Sequence, residues 1–312
     1  MELKDISRVG LGGCELPEDQ EKANALIDYA ISRGINFFDQ GWGYGGEEHK
    51  SEKILGNYLE KNPKVRDNIL ICDKFPMIEE IFDKFGGKNE DAFNKMFEQQ
   101  LSVLKTNYID VYMLHALDDS KYMNEKLYCE IIEWMLKLKQ EGKIKHIGFS
   151  AHIDLYKLNY YLDLFSEKFG KEVDVAMLTY NIFSGSDWVT GETGIKVWPN
   201  PGAKGFELCK KKGYTTISMM PLESGRALEI SHDKTFTDWC YKYVADNTFI
   251  DSTLSGTSRI EHLDQVLENI KPVVTYKKLK EKKEKKEKNE YSQKDKNGNN
   301  KPEQKRRDIK EI

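Results

Sequence analysis

Four polar residues stand at or just beyond the ends of apolar runs. Asp39 closes the run in NFFDQGWGYGG, Tyr44 follows in the same glycine-rich loop, Lys74 ends NILICDK and His115 ends YIDVYMLH. A buried ammonium beside a phenol stabilises the phenolate, and a nearby carboxylate keeps that ammonium charged. We interpret the four residues as an acid–base device in which the pKa of Tyr44 is lowered and His115 orients or polarises a carbonyl oxygen.

Each of these residues also has an ordinary structural explanation. A tyrosine in a glycine-rich loop can anchor the surface, and a lysine after a strand can face solvent. A histidine beside apolar residues can be a core residue, and an aspartate at a strand end can cap the next helix. Only their occurrence together, at the ends of successive apolar runs, favours the chemical interpretation.

Short apolar runs alternate with longer stretches of helical periodicity, which is typical of βα units and a parallel sheet. The predicted strands are 8–12, 35–39, 68–73, 108–114, 144–149, 173–180, 214–220 and 250–255. The predicted helices are 18–33, 49–61, 90–105, 126–141, 154–169, 202–212, 235–246 and 258–269. Eight such units favour an α/β fold of the (β/α)8 TIM barrel type, in which catalytic residues lie at the carboxyl ends of the strands. A doubly wound open sheet ranks second, because GLGG at 10–13 is too short for a GxGxxG turn.

The charge distribution separates a body from a tail. We predict a barrel domain over residues 1–272 and a Lys/Glu-rich tail over 273–312 that is helical or disordered. Residues 277–312 hold 15 Lys/Arg and 8 Asp/Glu, a surplus of +7 within a chain of net charge −4. Mixing of the two signs cancels much of the field, so a solubilising tail is favoured over a specific nucleic-acid partner.

The cellular setting is predicted from the cysteines and the apolar runs. The five cysteines contain no CxxC pair, which favours reduced thiols and no metal site. No run approaches the ~18 apolar residues of a membrane span, and MELKDISRVG lacks the pattern of a signal peptide. We expect a cytoplasmic protein without a membrane partner.

Four segments resemble the aldo-keto reductase family. NFFDQGWGYGGEEHKSEKILGNYL is similar to that family's second strand and following helix. TNYIDVYMLHAL resembles its fourth strand, GKIKHIGFS its fifth and LSGTSRIEHLDQVLENI its last, so the resemblance spans about residues 8–270. It implies a catalytic tetrad of Asp39, Tyr44, Lys74 and His115, with Tyr44 as proton donor to a carbonyl that receives hydride from a nicotinamide.

The sequence GFSxH after the fifth strand resembles a bacterial and archaeal branch whose members often carry a C-terminal ferredoxin-like domain. No cysteine follows Cys240. We therefore expect no iron–sulfur domain, with the charged tail in its place.

The resemblance also implies a nicotinamide cofactor, whose phosphates a barrel binds in the loops after strands seven and eight. Those loops read PLESGRAL and SGTSR. The predicted cofactor-binding residues are Ser150, Asn181, Pro221, Leu222, Gly225, Gly256, Thr257, Ser258 and Arg259. Arg259 either meets an adenosine 2′-phosphate, which favours NADPH while NADH stays possible, or is an ordinary surface residue at a helix start.

Other cofactor positions depart from the family pattern. Ala151 follows Ser150 where asparagine is common, Met177 takes the place of a glutamine, and Met219 that of an aromatic ring. DQG replaces DTA after the second strand, and Gln265 and Val266 stand where Glu-Asn is often found. His152 or Asn181 could supply the lost hydrogen bonds, and methionine can pack against a ring.

The leading hypothesis is a monomeric NADPH-dependent reductase of a small carbonyl substrate. Trp42 either lines the substrate pocket or packs as a lid over the strand ends. Trp188 and Trp198, in the long segment after strand six, either contact substrate or anchor that segment. One alternative is a barrel that binds a nucleotide or a partner protein without redox turnover. Another is isomerase or lyase chemistry by the same four residues without a nicotinamide.

Overall fold

Eight parallel strands close into a barrel in the computed structural model of this chain, which describes residues 1–117, 124–184 and 198–270. Each strand pairs with the next one along the chain, and β8 pairs with β1. The predicted (β/α)8 barrel is confirmed, and the open doubly wound sheet is wrong. The strands are β1 Val9–Gly12, β2 Phe37–Asp39, β3 Leu70–Phe75, β4 Ile109–Leu117, β5 Ile144–Ala151, β6 Val173–Thr179, β7 Thr215–Met219 and β8 Ser252–Gly256.

Helices pack around the barrel. Within the described residues they are α1 Gln20–Ser32, α2 Lys50–Lys61, α3 Glu79–Phe85, α4 Glu90–Leu104, α5 Glu125–Gln140, α6 Leu155–Phe169, α7 Gly202–Lys211, α8 Arg226–Ile230, α9 Lys234–Asp246 and α10 Ile260–Asn269. Short 3-10 helices occur at Leu3–Asp5, Gly13–Glu15 and Pro63–Asn68. The predicted bounds of strands and helices agree within three residues, but α3 and α8 were not predicted.

Short polar side chains fix where five of these helices begin. Asp19, Asn89, Asn124 and Asp154 each accept a hydrogen bond from the backbone N–H three residues ahead. Asp233 accepts one from the N–H of Thr235. Each such cap contributes about 1 kcal/mol and satisfies an N–H group that the helix itself cannot pair.

Two layers of apolar side chains make up the core. One layer lies between the strands and the helices. The other fills the barrel with alternate residues of the strands, closed by two residues that precede β1: Leu3, Ile6, Phe37, Leu70, Cys72, Val111, Met113, Val175, Met177, Ile217 and Leu254. Because successive strand residues face opposite sides, the two layers follow from the alternation along each strand.

The tail predicted over 273–312 lies outside the described residues, and so does Trp188. Among the residues that the structure does describe, no helix combines the length and the apolar character needed to cross a membrane.

Helices α2 and α4 approach closely at Gly56. A Cβ atom added to Gly56 would lie 2.1 Å from the carbonyl oxygen of Val103 and 3.1 Å from the Cα of Leu104. A contact that short with backbone cannot be relieved by a side-chain rotation, so the two helices would have to separate.

We expect Gly56→Ala to lower the free energy of unfolding by about 1–3 kcal/mol, because overpacking outweighs the better helix propensity of alanine. Urea denaturation followed by circular dichroism measures the change. Asn57→Ala, at the exposed neighbouring position of α2, is the matched control and should stay within about 0.5 kcal/mol of the wild type. Equal stability of Gly56→Ala and the wild type would contradict the close approach.

Candidate active site

Three of the four predicted catalytic residues face the barrel interior at its carboxyl end. The residue two positions before each of them belongs to the cluster that fills the barrel, and alternate strand residues face the same side. Asp39, Lys74 and His115 are therefore carried to the same end of the barrel. Asp39 closes its strand as predicted, whereas β3 and β4 continue past Lys74 and His115, to Phe75 and Leu117.

Lys74 and Asp39 form a buried ion pair. The Lys74 Nζ donates to Asp39 Oδ1 at 2.5 Å and to the carbonyl oxygen of Gln40 at 2.7 Å. The two side chains are 0% and 2% exposed. Charges withdrawn from water need such close partners, because an unpaired buried charge is strongly destabilising.

Tyr44 reaches the same place from the loop after β2. Its ring centroid lies 4.6 Å from the Lys74 Nζ and 5.8 Å from the centroid of the His115 ring, which it meets edge-on. The backbone N–H of Tyr44 donates to the carbonyl oxygen of Gly41 at 3.0 Å. Any side chain at Gly41 would press on the Tyr44 ring, since an added Cβ would lie 3.0 Å from it.

The protonation of Tyr44 differs from the sequence-based prediction. Burial raises the pKa of Tyr44, the Asp39 carboxylate raises it further, and the Lys74 ammonium opposes both without overcoming them. The predicted lowering of the Tyr44 pKa is therefore wrong for this structure, because burial and Asp39 outweigh the ammonium. At neutral pH the side chain is a phenol with a proton to donate.

Lys74 and His115 hold opposite protonation states side by side. Burial acts to lower the pKa of Lys74, but its neighbours, above all the Asp39 carboxylate, prevail and the pKa lies well above its ordinary value. Burial and then the Lys74 charge lower the pKa of His115 to about 3. At neutral pH, Lys74 is a cation and His115 is a neutral imidazole.

A cavity of about 780 Å³ opens above these residues. Asp39, Tyr44 and His115 line it, and it extends to the residues that follow β7 and β8. This volume falls within the range of about 300–1,000 Å³ that is usual for ligand pockets. The arrangement places a phenol and a neutral imidazole at the wall of a space large enough for a substrate or a cofactor.

Seven of the nine predicted cofactor residues line this cavity. They are Ser150, Pro221, Leu222, Gly225, Gly256, Thr257 and Ser258. The Ser150 Oγ accepts a hydrogen bond from the backbone N–H of Ala116 at 3.0 Å, which ties β5 to β4. Arg259 is exposed at the N-terminal cap of α10 and is not among the lining residues.

Asn181 does not take the position predicted for a cofactor contact. Its Nδ2 donates to the carbonyl oxygen of Met220 at 3.1 Å and to Glu223 Oε2, while its Oδ1 accepts from the N–H of Phe183 at 3.0 Å. Glu223 also accepts a hydrogen bond from the N–H of Trp198. Asn181 therefore joins the segments after β6 and β7, and it is not among the residues that line the cavity.

The residues that depart from the family pattern take different positions. Met219 and Gln265 line the cavity, whereas Met177 is buried in the barrel interior and Val266 in the helix layer. His152 also lines the cavity, and its Nδ1 lies 2.7 Å from the hydroxyl of Thr179. Of the two suggested replacements for the lost hydrogen bonds, only His152 lines the cavity.

Trp42 packs away from the cavity. The side chain is 1% exposed, its ring centroid lies 3.9 Å from that of His49 and 5.7 Å from that of Phe85, and Trp42 is not among the lining residues. This position fits a packing role and not the predicted substrate contact. Trp198 packs against the His152 ring at 4.6 Å.

Sequence reasoning missed several residues of the cavity wall. Cys14 and Glu15 follow β1, and His232, Lys234 and His262 lie at or near the starts of α9 and α10. The rule that barrel sites lie at strand ends could have found the first pair. The other three depend on how α8 and α9 fold back towards α10, for which the sequence offers no local signal.

The sequence and the fold were compared with known proteins. The model of the Aldo/keto reductase family matches residues 8–231. The chain is 28% identical over 288 residues to the uncharacterized oxidoreductase YqkF of Bacillus subtilis (strain 168), covering 86% of this chain and 87% of the relative. It is also 28% identical over 303 residues to L-galactose dehydrogenase of Arabidopsis thaliana, covering 88% and 86%.

Solved structures share the fold. A crystal structure of an aldo-keto reductase from Klebsiella pneumoniae in complex with NADPH superposes with a TM-score of 0.62 at 19% sequence identity, covering 88% of this chain and 89% of that chain. A putative aldo-keto reductase from Pseudomonas aeruginosa gives a TM-score of 0.59 at 20% identity, covering 85% and 89%. At this identity the likeness is one of fold.

We expect Lys74→Met to lower the free energy of unfolding by about 3–5 kcal/mol, because it leaves the Asp39 carboxylate buried without its partner. Urea denaturation measures the change. The double variant Asp39→Asn/Lys74→Met should cost less than the sum of its two single substitutions, since it removes both charges together. Additive costs would show that the two groups do not depend on each other.

Proposed function

Because the chain belongs to the aldo/keto reductase family, we propose that it reduces an aldehyde or a ketone to the alcohol with NADPH as the hydride donor. The observation that carries this proposal is the buried Lys74–Asp39 pair beside a protonated Tyr44, with a neutral His115 on the same cavity wall. This set supplies what carbonyl reduction needs from the protein, which is a proton donor and a group that polarises the oxygen.

The cavity fits the cofactor that the family implies. The loop after β7 would hold it with Pro221, Leu222 and Gly225, and the loop after β8 with Gly256, Thr257 and Ser258. The second loop leads into the N-terminus of α10, where backbone N–H groups and the helix dipole favour a phosphate. NADPH supplies the hydride when bound there.

The protein's own residues handle the proton. The Tyr44 hydroxyl donates it to the carbonyl oxygen as negative charge develops there. The Lys74 ammonium, held by Asp39, stabilises the phenolate that Tyr44 becomes. His115 stays neutral and donates a hydrogen bond from its ring N–H to the same oxygen, which fixes the carbonyl in place.

A preference for NADPH over NADH is part of this proposal. Arg259 stands at the start of α10, next to Ser258 of the cavity wall. Its exposed guanidinium can pair with a 2′-phosphate at the rim, where a planar group matches phosphate oxygens in a bidentate manner. A monomeric, cytoplasmic protein without a specific nucleic-acid partner stays a prediction.

We expect Tyr44→Phe to reduce the kcat for carbonyl reduction by about 10²–10⁴-fold, because it removes the proton donor. NADPH consumption with a panel of aldehydes and ketones measures the rate, and tryptophan fluorescence measures NADPH binding, which should persist. Tyr156→Phe, at a tyrosine that is 83% exposed, is the matched control. Unchanged turnover in Tyr44→Phe would contradict the role of Tyr44 as proton donor.

The pH profile should carry no titration of His115. With a pKa of about 3, His115 is neutral from about pH 5 upwards. The raised pKa of Tyr44 keeps the phenol protonated into the alkaline range. We therefore expect kcat/KM for the carbonyl substrate to be flat between about pH 5 and pH 9. A loss of rate below a midpoint of about 6.5, the ordinary value for histidine, would contradict a neutral His115 if it persists when the other cavity histidines, His152, His232 and His262, are replaced by glutamine.

A further inference from the structure

A second set of polar side chains is buried behind Lys74, between the barrel and the helix layer. It consists of His49 and Glu52 of the α2 start, Asp73 of β3, Gln100 of α4 and Tyr112 of β4, none more than 2% exposed. None of the five has a part in the proton transfer described above. A buried carboxyl pair in an apolar layer is costly, so its presence calls for a physical explanation.

Asp73 lies on the outer side of β3. The strand alternates, with Ile71 and Phe75 in the layer between strands and helices, so the intervening Asp73 shares their side. Its register partner on β4 is Tyr112, whose ring is buried in the same layer. An ionised Asp73 would therefore stand in apolar surroundings.

The hydrogen bonds distinguish the two carboxyl groups. Glu52 Oε1 accepts from Gln100 Nε2 at 3.0 Å, and Glu52 Oε2 lies 2.6 Å from His49 Nδ1. Burial lowers the pKa of His49, so its ring is neutral and donates when the proton is on Nδ1. Both oxygens of Glu52 then have N–H donors, as an ionised carboxylate requires.

Asp73 has the complementary pattern. Its Oδ1 accepts from the backbone N–H of Lys74 at 2.7 Å. Its Oδ2 meets no donor among the described residues, and the Glu52 carboxyl lies within hydrogen-bonding reach of Asp73. Two acceptors in contact need a proton between them, and the oxygen without a donor is the one that can carry it.

We propose that Asp73 is a protonated acid whose Oδ2–H donates to the Glu52 carboxylate, and that this pair is a positioning device for Lys74 and for the loop that carries Tyr44. The proton stays on the pair throughout turnover, and no bond to substrate forms or breaks there.

The electrostatics of the pair agree with a retained proton. Burial is the first cause that raises the pKa of both Asp73 and Glu52. The Glu52 charge and the hydrogen bond with Glu52 raise the pKa of Asp73 further, whereas the same hydrogen bond lowers the pKa of Glu52. The facing cations are Lys74 of β3 and Lys53 of α2, which act to lower the pKa of Glu52. The other facing groups, His49 and Tyr112, are neutral, since burial lowers the pKa of one and raises that of the other.

The network reaches the catalytic residues through backbone groups. Asp73 accepts the N–H of Lys74, and Gln100 Nε2 donates to the carbonyl oxygen of Lys74 at 3.1 Å. The N–H of His49 donates to the carbonyl oxygen of Trp42 at 2.6 Å, which closes the loop around Tyr44. The backbone N–H and the backbone carbonyl of Lys74 are thus both hydrogen-bonded to the network that also holds the end of the Tyr44 loop.

Infrared spectroscopy of the full chain tests the proton directly and needs no activity. We expect the carbonyl stretch of a protonated carboxyl group at neutral pH in the wild type, lost in Asp73→Asn and kept in the control Asp67→Asn, whose side chain is exposed. Absence of this band from the wild type would overturn the proposal, and so would its persistence in Asp73→Asn. Even if Asp73→Asn fails to fold, absence of the band from the wild type still overturns the proposal.

The pH dependence of stability gives a second measurement. The folded pair keeps a proton that an unfolded carboxyl loses above a pKa of about 4, so unfolding releases this proton. The equilibrium constant for unfolding should therefore rise by up to about tenfold per pH unit more in the wild type than in Asp73→Asn, from about pH 5 upwards. Urea denaturation at a series of pH values measures this constant. If its dependence on pH is the same for the two proteins, the proposal is overturned.

The effect on catalysis rests on the proposed carbonyl reduction. Asp73→Leu should lower kcat by about 100-fold with little change in KM, because Lys74 loses its support. Asp73→Asn should recover at least about tenfold of that loss, since its amide can donate to Glu52 and accept from Lys74. Equal kcat in the two variants would overturn the positioning role. If no protein, including the wild type, reduces a carbonyl, the proposed function fails. The infrared spectrum and the pH dependence of stability still show whether Asp73 and Glu52 share a proton.

Discussion

The burial of the Lys74 ammonium against the Asp39 carboxylate is the constraint on which the rest of the site depends. Removing two charges from water costs several kcal/mol for each, and only close, fixed partners offset that cost. Asp39 and the carbonyl oxygen of Gln40 supply them at 2.5 and 2.7 Å. Since both partners come from the end of β2, the pair ties that strand to β3 at the point where the Tyr44 loop begins.

The same pair acts on the protonation of its neighbours, together with burial. The Lys74 charge adds to burial in lowering the pKa of His115 and opposes burial at Tyr44. At neutral pH the Tyr44 phenol therefore lies beside the Lys74 ammonium, 4.6 Å from its ring centroid, and beside the neutral His115 imidazole, at 5.8 Å between ring centroids. The ion pair thus joins two strands and also shifts the pKa values of the residues beside it.

The sequence predicted the fold and the side of the strands on which Asp39, Lys74 and His115 lie, because both depend on local periodicity. A period of two through NFFD, LICDK and VYMLH indicates which residues face the barrel and that the polar residue comes last. The direction of the Tyr44 pKa was not predictable, because it depends on how deeply the phenol is buried. The same limit applies to Asn181 and Trp42, whose partners Glu223 and Phe85 come from distant segments. The helices α3 and α8, of seven and five residues, are too short for a periodic signal.

The contacts between α2 and α4 have a consequence for exchanging parts between related barrels. Gly56 admits the backbone of α4 at van der Waals distance, and Gln100 of α4 reaches both Glu52 and the carbonyl oxygen of Lys74. A loop with a different Tyr44 environment cannot be grafted alone, since its helix must match α4 in shape and in hydrogen bonding. The smallest transferable module is the continuous stretch from the end of β2 to the end of α4, which a chimera would have to inherit whole.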